Sequence, residues 1–290
     1  MIHQLSNEVL SVAIAEKGAE LQSIVNKSTG IEYMWNADPA YWSKKSPVLF
    51  PVVGGLKNNE YTYDGKTYSL NRHGFAREAM FSLTEQSAES LTFTLTDSEA
   101  TLERYPFHFS FSVKYTLNDN KVLVTYIVEN TDDKILLFSV GGHPAFKVPV
   151  AEGTTFDDYK LLFNQVETAG KWPLSPEGQV ETHTTPLLEN TSTLPLTKSL
   201  FYQDALVFKH LASTSISIAS DKTPHGLKVE FLGFPYMGIW NAKDANFVCI
   251  EPWCGIADSV NTTGELAEKE GINSLQSEEV FERTWSVEVF

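Results

Sequence analysis

Phe107-His108-Phe109-Ser110-Phe111-Ser112-Val113-Lys114-Tyr115-Thr116-Leu117 carries an apolar side chain at every second position. A period of two puts all six on one face of an extended strand, because successive Cβ atoms of a strand point to opposite sides. The turn signal Asn118-Asp119-Asn120 follows, and the alternation resumes at Val122, Val124, Tyr126 and Val128. Two such runs joined by a short polar link predict an antiparallel hairpin with one buried face. Shorter alternating segments at Leu91–Leu95, Ile216–Ile218, Leu227–Phe231, Phe247–Ile250 and Trp285–Val289 are separated by turn clusters such as Asp64-Gly65, Asp132-Asp133 and Thr263-Gly264. No long segment shows a sustained 3.6-residue apolar stripe, so helix is expected to be minor. The Ser/Thr-rich stretch Thr182–Ser199 reads as a long surface connection. With no repeat and no linker-like composition, the chain reads as one all-β domain over residues 1–290, a sandwich or barrel rather than alternating βαβ units.

Composition agrees with a large core. The 290 residues are 42% hydrophobic and 20% charged, and a chain of about 300 residues buries about three-quarters of its unfolded surface, so neither disulfide nor structural metal is required for folding. Twenty-two Lys and Arg against 37 Asp and Glu give a net charge of −15, which repels phosphate backbones and anionic bilayers. Nucleic acid and membrane are therefore poor partners, and no run reaches the ~18 apolar residues of a spanning helix. Met1–Glu8 has no basic patch followed by an apolar stretch, so the expected location is cytoplasmic. The two cysteines, Cys249 and Cys254, lack Cys-x-x-Cys spacing and read as buried thiols, with a disulfide as the alternative.

Polar residues interrupt the strands in four places: Pro47–Asn58, Asn71-Arg72-His73-Gly74-Phe75-Ala76-Arg77, Gly141-Gly142-His143-Pro144-Ala145-Phe146, and Ile250-Glu251-Pro252-Trp253. His73 reads either as a turn histidine at the surface or as an imidazole presented among cations. His143, fixed between two glycines and a proline, reads either as a buried histidine bonded to a carbonyl or as a general acid or base. Glu251 follows the apolar strand Phe247–Ile250 and precedes an indole. It is either a strand-end carboxylate in water or a partly desolvated base whose pKa is raised. Asp204 opens the apolar run Ala205–Phe208 and is either a turn residue or a ligand-binding carboxylate. No His-x-x-x-His, nucleotide-binding glycine loop or Gly-x-Ser-x-Gly occurs, so no metal and no cofactor are expected.

In this order, His73-Gly74, Gly141-Gly142-His143-Pro144-Ala145-Phe146, Asp204 and Cys249-Ile250-Glu251, the sequence resembles the aldose 1-epimerase (galactose mutarotase) family, and within it the LacX-like branch. The resemblance spans nearly the whole chain, and the Gly-Gly-His-Pro-Ala-Phe segment is its most specific element. It implies a large antiparallel β-sandwich, the galactose mutarotase-like supersandwich, with a sugar cleft on one sheet face. It also implies cofactor-free interconversion of the α and β anomers of a free hexose such as galactose or glucose. Carried over by position, Glu251 matches the base that takes the C1 hydroxyl proton, and His143 the acid that protonates the ring oxygen. His73 matches the second histidine, and Asp204 the carboxylate that holds sugar hydroxyls.

Family members carry a sugar-binding arginine in the segment equivalent to Gly54–Asn59, and this sequence has none there. Lys57, Arg72 and Arg77 are the cations that could stand in, and Phe75 and Trp253 the aromatics that could stack on a pyranose. The expected partner is a small sugar, and the expected assembly a monomer or homodimer. The alternatives are a hexose-6-phosphate 1-epimerase, with the arginines and Lys57 receiving the phosphate, and a non-catalytic carbohydrate-binding protein of the same fold.

Overall fold

The computed structural model describes all 290 residues, and it is all-β, with about 51% of residues in strands and 7% in helices. The hairpin forms as predicted: Phe109–Asn118 pairs antiparallel with Lys121–Asn130, and its residues are buried at alternate positions. The strand begins at Phe109 rather than Phe107, because the chain before it turns, with the Phe107 N–H donating to the Tyr105 carbonyl. This hairpin lies inside a nine-stranded antiparallel sheet. The segments around Leu91, Ile216, Leu227 and Trp285 are all strands of the same sheet.

Thr182–Ser199 is not a connection. Thr185–Pro195 forms the edge strand of the large sheet against Tyr159–Lys171. It escaped the periodicity test because it is a bulged edge strand with few buried positions, so little alternation is imposed on its sequence.

A second sheet carries Leu206–Lys209, Tyr236–Trp240, Phe247–Cys254, Val140–Gly142 and Val48–Leu49 in that order, with Ala145–Lys147 also on Phe247–Cys254. Its inner face supplies Val48, Val140, Met237, Ile239, Val248, Ile250 and Cys254 to the main core shared with the large sheet. Phe50 and Phe111, one from each layer, stack at 4.4 Å. Alternation then sends Phe247, Cys249, Glu251 and Trp253 to the outer face. Cys249 and Cys254 therefore point to opposite sides of one strand, and both are free, buried thiols. A three-stranded N-terminal sheet, Ile2–Ser6, Leu10–Ala15 and Glu20–Asn26, adds to the same core. No helix is long and apolar enough to cross a membrane.

Candidate active site

The outer face of the second sheet floors a cleft of about 550 Å3, within the range of small-molecule sites. His143 and Glu251 meet there because of the ladder's register. Gly141 pairs with Trp253 and Ala145 with Cys249, so in the same register His143 lies directly opposite Glu251. Between those two paired stretches the ladder opens. Pro144 and Pro252, which have no N–H to donate, sit in this gap, and the His143 N–H turns instead to the Pro47 carbonyl. Directly opposed residues share a face, and His143 Nε2 stands 3.3 Å from Glu251 Oε2. Glu251 is thus a mid-strand residue, not a strand end: its strand continues to Cys254, and Gly238 faces it from the other neighbour.

Both side chains are removed from water, His143 to 9% exposure and Glu251 to 1%. Burial pushes the Glu251 carboxyl well above the usual carboxylate range, and the Asp204 charge adds to this. Burial pulls the His143 imidazole down to about 3, and the Arg77 charge pulls the same way. Each group resists its own charged form, so burial favours one proton shared within the pair over a separated ion pair. His143 Nδ1 and Trp253 Nε1 have no hydrogen-bond partner. The Trp253 ring lies over Gly141 and Gly238, where an added Cβ would come within 2.7 and 2.4 Å of it.

His73 faces His143 edge-on at 5.7 Å. Its Nδ1 accepts the Gly54 N–H at 3.1 Å, which fixes the ring proton on Nε2, while its backbone N–H donates to the Gly54 carbonyl. Burial, then the neighbouring His143, Arg77 and Arg72, holds this imidazole well below its ordinary pKa, so His73 is a neutral donor. Its backbone is left-handed at φ +68° and the next residue, Gly74, at φ +69°. A Cβ on Gly74 would lie 2.3 Å from the Phe50 carbonyl oxygen, so only glycine lets this loop seat against Phe50. Gly74→Ala is expected to cost about 1–3 kcal/mol, read as a lower denaturant midpoint with an unchanged slope.

Asp204, at φ +101°, lines the cleft and accepts the Ala205 N–H on Oδ1 at 2.7 Å. Arg72 and Arg77 line it too. The Arg72 guanidinium lies across Gly178, donating to the Glu177 carbonyl at 3.4 Å, and Arg77 donates to the Arg72 carbonyl at 2.9 Å. Two of the expected sugar contacts lie elsewhere. Lys57 is outside the cleft, its exposed ammonium 3.5 Å from the Val260 carbonyl and its N–H bonded to Asp258 Oδ2. Phe75 is buried in the core against Phe50 and Tyr105, because alternation after the left-handed pair turns it away from the cleft.

The sequence reading passed over Trp42 and Tyr202. Trp42 packs its ring 4.9 Å from that of His143, with Trp240 edge-on to His143 at 5.5 Å. Tyr202 also lines the cleft, its hydroxyl donating to Asp244 at 2.8 Å. Neither sits in a periodic or motif-like segment, although Tyr202 is two residues from Asp204. The arrangement offers two carboxyls, two imidazoles, two guanidinium groups and aromatic walls in one cleft, a set suited to moving protons on a polyhydroxylated ring.

The sequence model of the aldose 1-epimerase family matches residues 1–276. The chain belongs to the aldose 1-epimerase family. Within it, this member is 34% identical to the chromosomal LacX protein of Lactococcus lactis subsp. lactis, over all of this chain and 99% of that one. Among solved structures it superposes on a galactose mutarotase related enzyme from Lactobacillus acidophilus with a TM-score of 0.94 at 37% identity, covering 100% and 97% of the two chains. A galactose mutarotase-like protein from Lactobacillus casei gives a TM-score of 0.91 at 30% identity over the full length of both. This aldose 1-epimerase family member therefore has the galactose mutarotase-like fold expected of it.

Proposed function

We propose that the protein is a cofactor-independent aldose 1-epimerase acting on a free hexose, with Glu251 as base and His143 as acid. The observation that carries this reading is the directly opposed, buried Glu251–His143 pair, 3.3 Å apart on the floor of a sugar-sized cleft. A hexose bound here places its C1 hydroxyl on the Glu251 carboxylate and its ring oxygen toward His143, with the pair's proton on the imidazole. Glu251 takes the hydroxyl proton, the C1–O5 bond breaks as C1 becomes a carbonyl, and His143 delivers its proton to O5. Rotation about C1–C2 presents the other carbonyl face; O5 attacks it, returning its proton to His143 while Glu251 reprotonates O1. The sugar leaves as the other anomer and the pair ends with the proton it began with. The neutral Nε2–H of His73 donates to the ring oxygen or a neighbouring hydroxyl, and Asp204 accepts from sugar hydroxyls. Arg72 and Arg77 take the place of the arginine missing between Gly54 and Asn59, and Trp253 offers an apolar surface to the pyranose.

Polarimetry of freshly dissolved α-D-galactose and α-D-glucose tests the reading: rotation relaxes faster with protein than in buffer. Identical relaxation, with sugar binding still seen by calorimetry, would leave a binding protein instead. A second reading rests on Arg72 and Arg77, whose hydrogen bonds go to carbonyls rather than to carboxylates. A hexose 6-phosphate would satisfy both cations, against the −15 net charge, and faster relaxation of the 6-phosphate alone would select it.

The pair's burial also sets the pH dependence. Activity requires one shared proton. The acid limb of kcat/KM is the gain of a second proton, which falls far below 6.5 because His143 is pulled down to about 3. The alkaline limb is loss of the shared proton, moved above 4.5 because Glu251 is pushed up. The expected profile is a broad plateau with apparent values that belong to the pair. An acid limb near the free imidazole value would contradict it.

A further inference from the structure

Beside the acid–base pair lies a group that the proposed reaction does not use. Cys249 stands two residues before Glu251 on the same strand and therefore on the same face, and it is fully buried as a free thiol. Donor atoms of His143, Cys249 and Glu251 all lie within 4.8 Å of one another. The 3.3 Å between His143 Nε2 and Glu251 Oε2 is long for a charge-assisted hydrogen bond. It matches the roughly 3.3 Å that separates two ligands of one tetrahedral zinc at bond lengths of about 2.0–2.1 Å. His143 is also nine-tenths buried, and its Nδ1 has no hydrogen-bond partner.

We propose that His143, Cys249 and Glu251 form a capture site for a thiophilic divalent cation, of which zinc is the type, and that its occupancy silences the cleft. A nitrogen, a thiolate and a carboxylate from three residues are a recognised donor set for zinc, with the remaining position left to water or a sugar hydroxyl. On binding, the proton of the Cys249 thiol and the proton shared by Glu251 and His143 are released to solvent, and the metal takes their place on sulfur, nitrogen and oxygen. The base and the acid then have no lone pair or proton to offer a sugar, so the cation is an inhibitor rather than a cofactor.

Cobalt(II) is the probe, because a thiolate ligand gives it a charge-transfer absorption that nitrogen and oxygen ligands do not. Reduced, chelator-treated protein titrated with cobalt is expected to develop this band to a one-to-one end point and to lose it on addition of zinc. Cys249→Ala abolishes the band and weakens binding by at least ~10-fold, the scale on which even outer partners of a metal matter. Cys249→Ser, nearly the same size, repeats the test should the alanine variant fold poorly, and Cys254→Ser keeps the band. No thiolate band in the wild type, or a band lost with Cys254 and kept without Cys249, overturns the proposal. The absorption is independent of epimerase activity, so its failure is separate from failure of the sugar reading. In the activity arm, zinc slows mutarotation by wild type at least ~10-fold more effectively than by Cys249→Ala, whose metal-free rate is unchanged.

Discussion

Glu251→Gln is expected to lower kcat for mutarotation by roughly 10²–10⁴-fold while leaving sugar binding within a small factor of wild type. Glutamine keeps the size and one acceptor oxygen but cannot take the C1 hydroxyl proton, so an interaction made in the transition state is lost. Polarimetry supplies the rate and calorimetry the affinity. A variant that relaxes galactose as fast as wild type would remove Glu251 from the chemistry. Stability should move the other way. The folded-state pKa of Glu251 is raised, so its contribution is intact below 4.5 and is lost as pH climbs toward the raised value, where the buried carboxyl must ionise. The neutral amide escapes that penalty. The thermal midpoint of Glu251→Gln should therefore exceed wild type at pH 8, with the gap closing toward pH 4.5. Stability given up at the position proposed to do the chemistry is what a functional carboxyl would show.

Lys269→Met is expected to cost about 3–5 kcal/mol, because it strands a buried carboxylate. Lys269 Nζ and Asp258 Oδ1 are 2.7 Å apart, each side chain only 3% exposed, and burial lowers the lysine pKa against the pull of Asp258. The same aspartate accepts the Lys57 N–H at 2.9 Å, and its own N–H donates to the Gly55 carbonyl at 2.9 Å. Breaking the pair thus loosens Gly54–Lys57, the segment that supplies the Gly54 N–H to His73. A fall in thermal midpoint of roughly 5–15 °C is expected. Adding Asp258→Asn should recover most of it, since the amide oxygen still accepts from Lys57 and no charge is left buried. Equal stability of the single and double variants would show that the ion pair is not what holds this turn.

How much of this was legible in the sequence depended on whether a residue's surroundings were local. The hairpin at Phe109–Asn130 was plain because one face of each strand is buried throughout, which forces alternation. Thr185–Pro195 was not, because an edge strand buries too little to be patterned. His143 and Glu251 stood out from their neighbours, glycines and prolines that open a ladder. Their pairing did not, since register between strands more than a hundred residues apart leaves no mark within either segment. Lys57 and Phe75 show the converse: each sits in a suggestive loop, but which way a side chain faces just before left-handed backbone at Asn58, or just after it at His73-Gly74, is a tertiary outcome. Trp42 was missed for the same reason, for its place is set by the His143, Trp240 and Phe247 rings it packs upon, all distant in sequence.

The ladder gap at Pro144 and Pro252 also divides the molecule's labour. The atoms proposed to transfer protons hang from two neighbouring strands, held together by the paired stretches on either side of the gap. The side chains proposed to contact the rest of the sugar come instead largely from three other segments, Arg72–Arg77, Leu174–Val180 and Tyr202–Ala205. Preference for one hexose over another can then be rewritten by exchanging rim segments while the reaction centre is inherited intact, which makes this scaffold a suitable chassis for directed changes of sugar specificity.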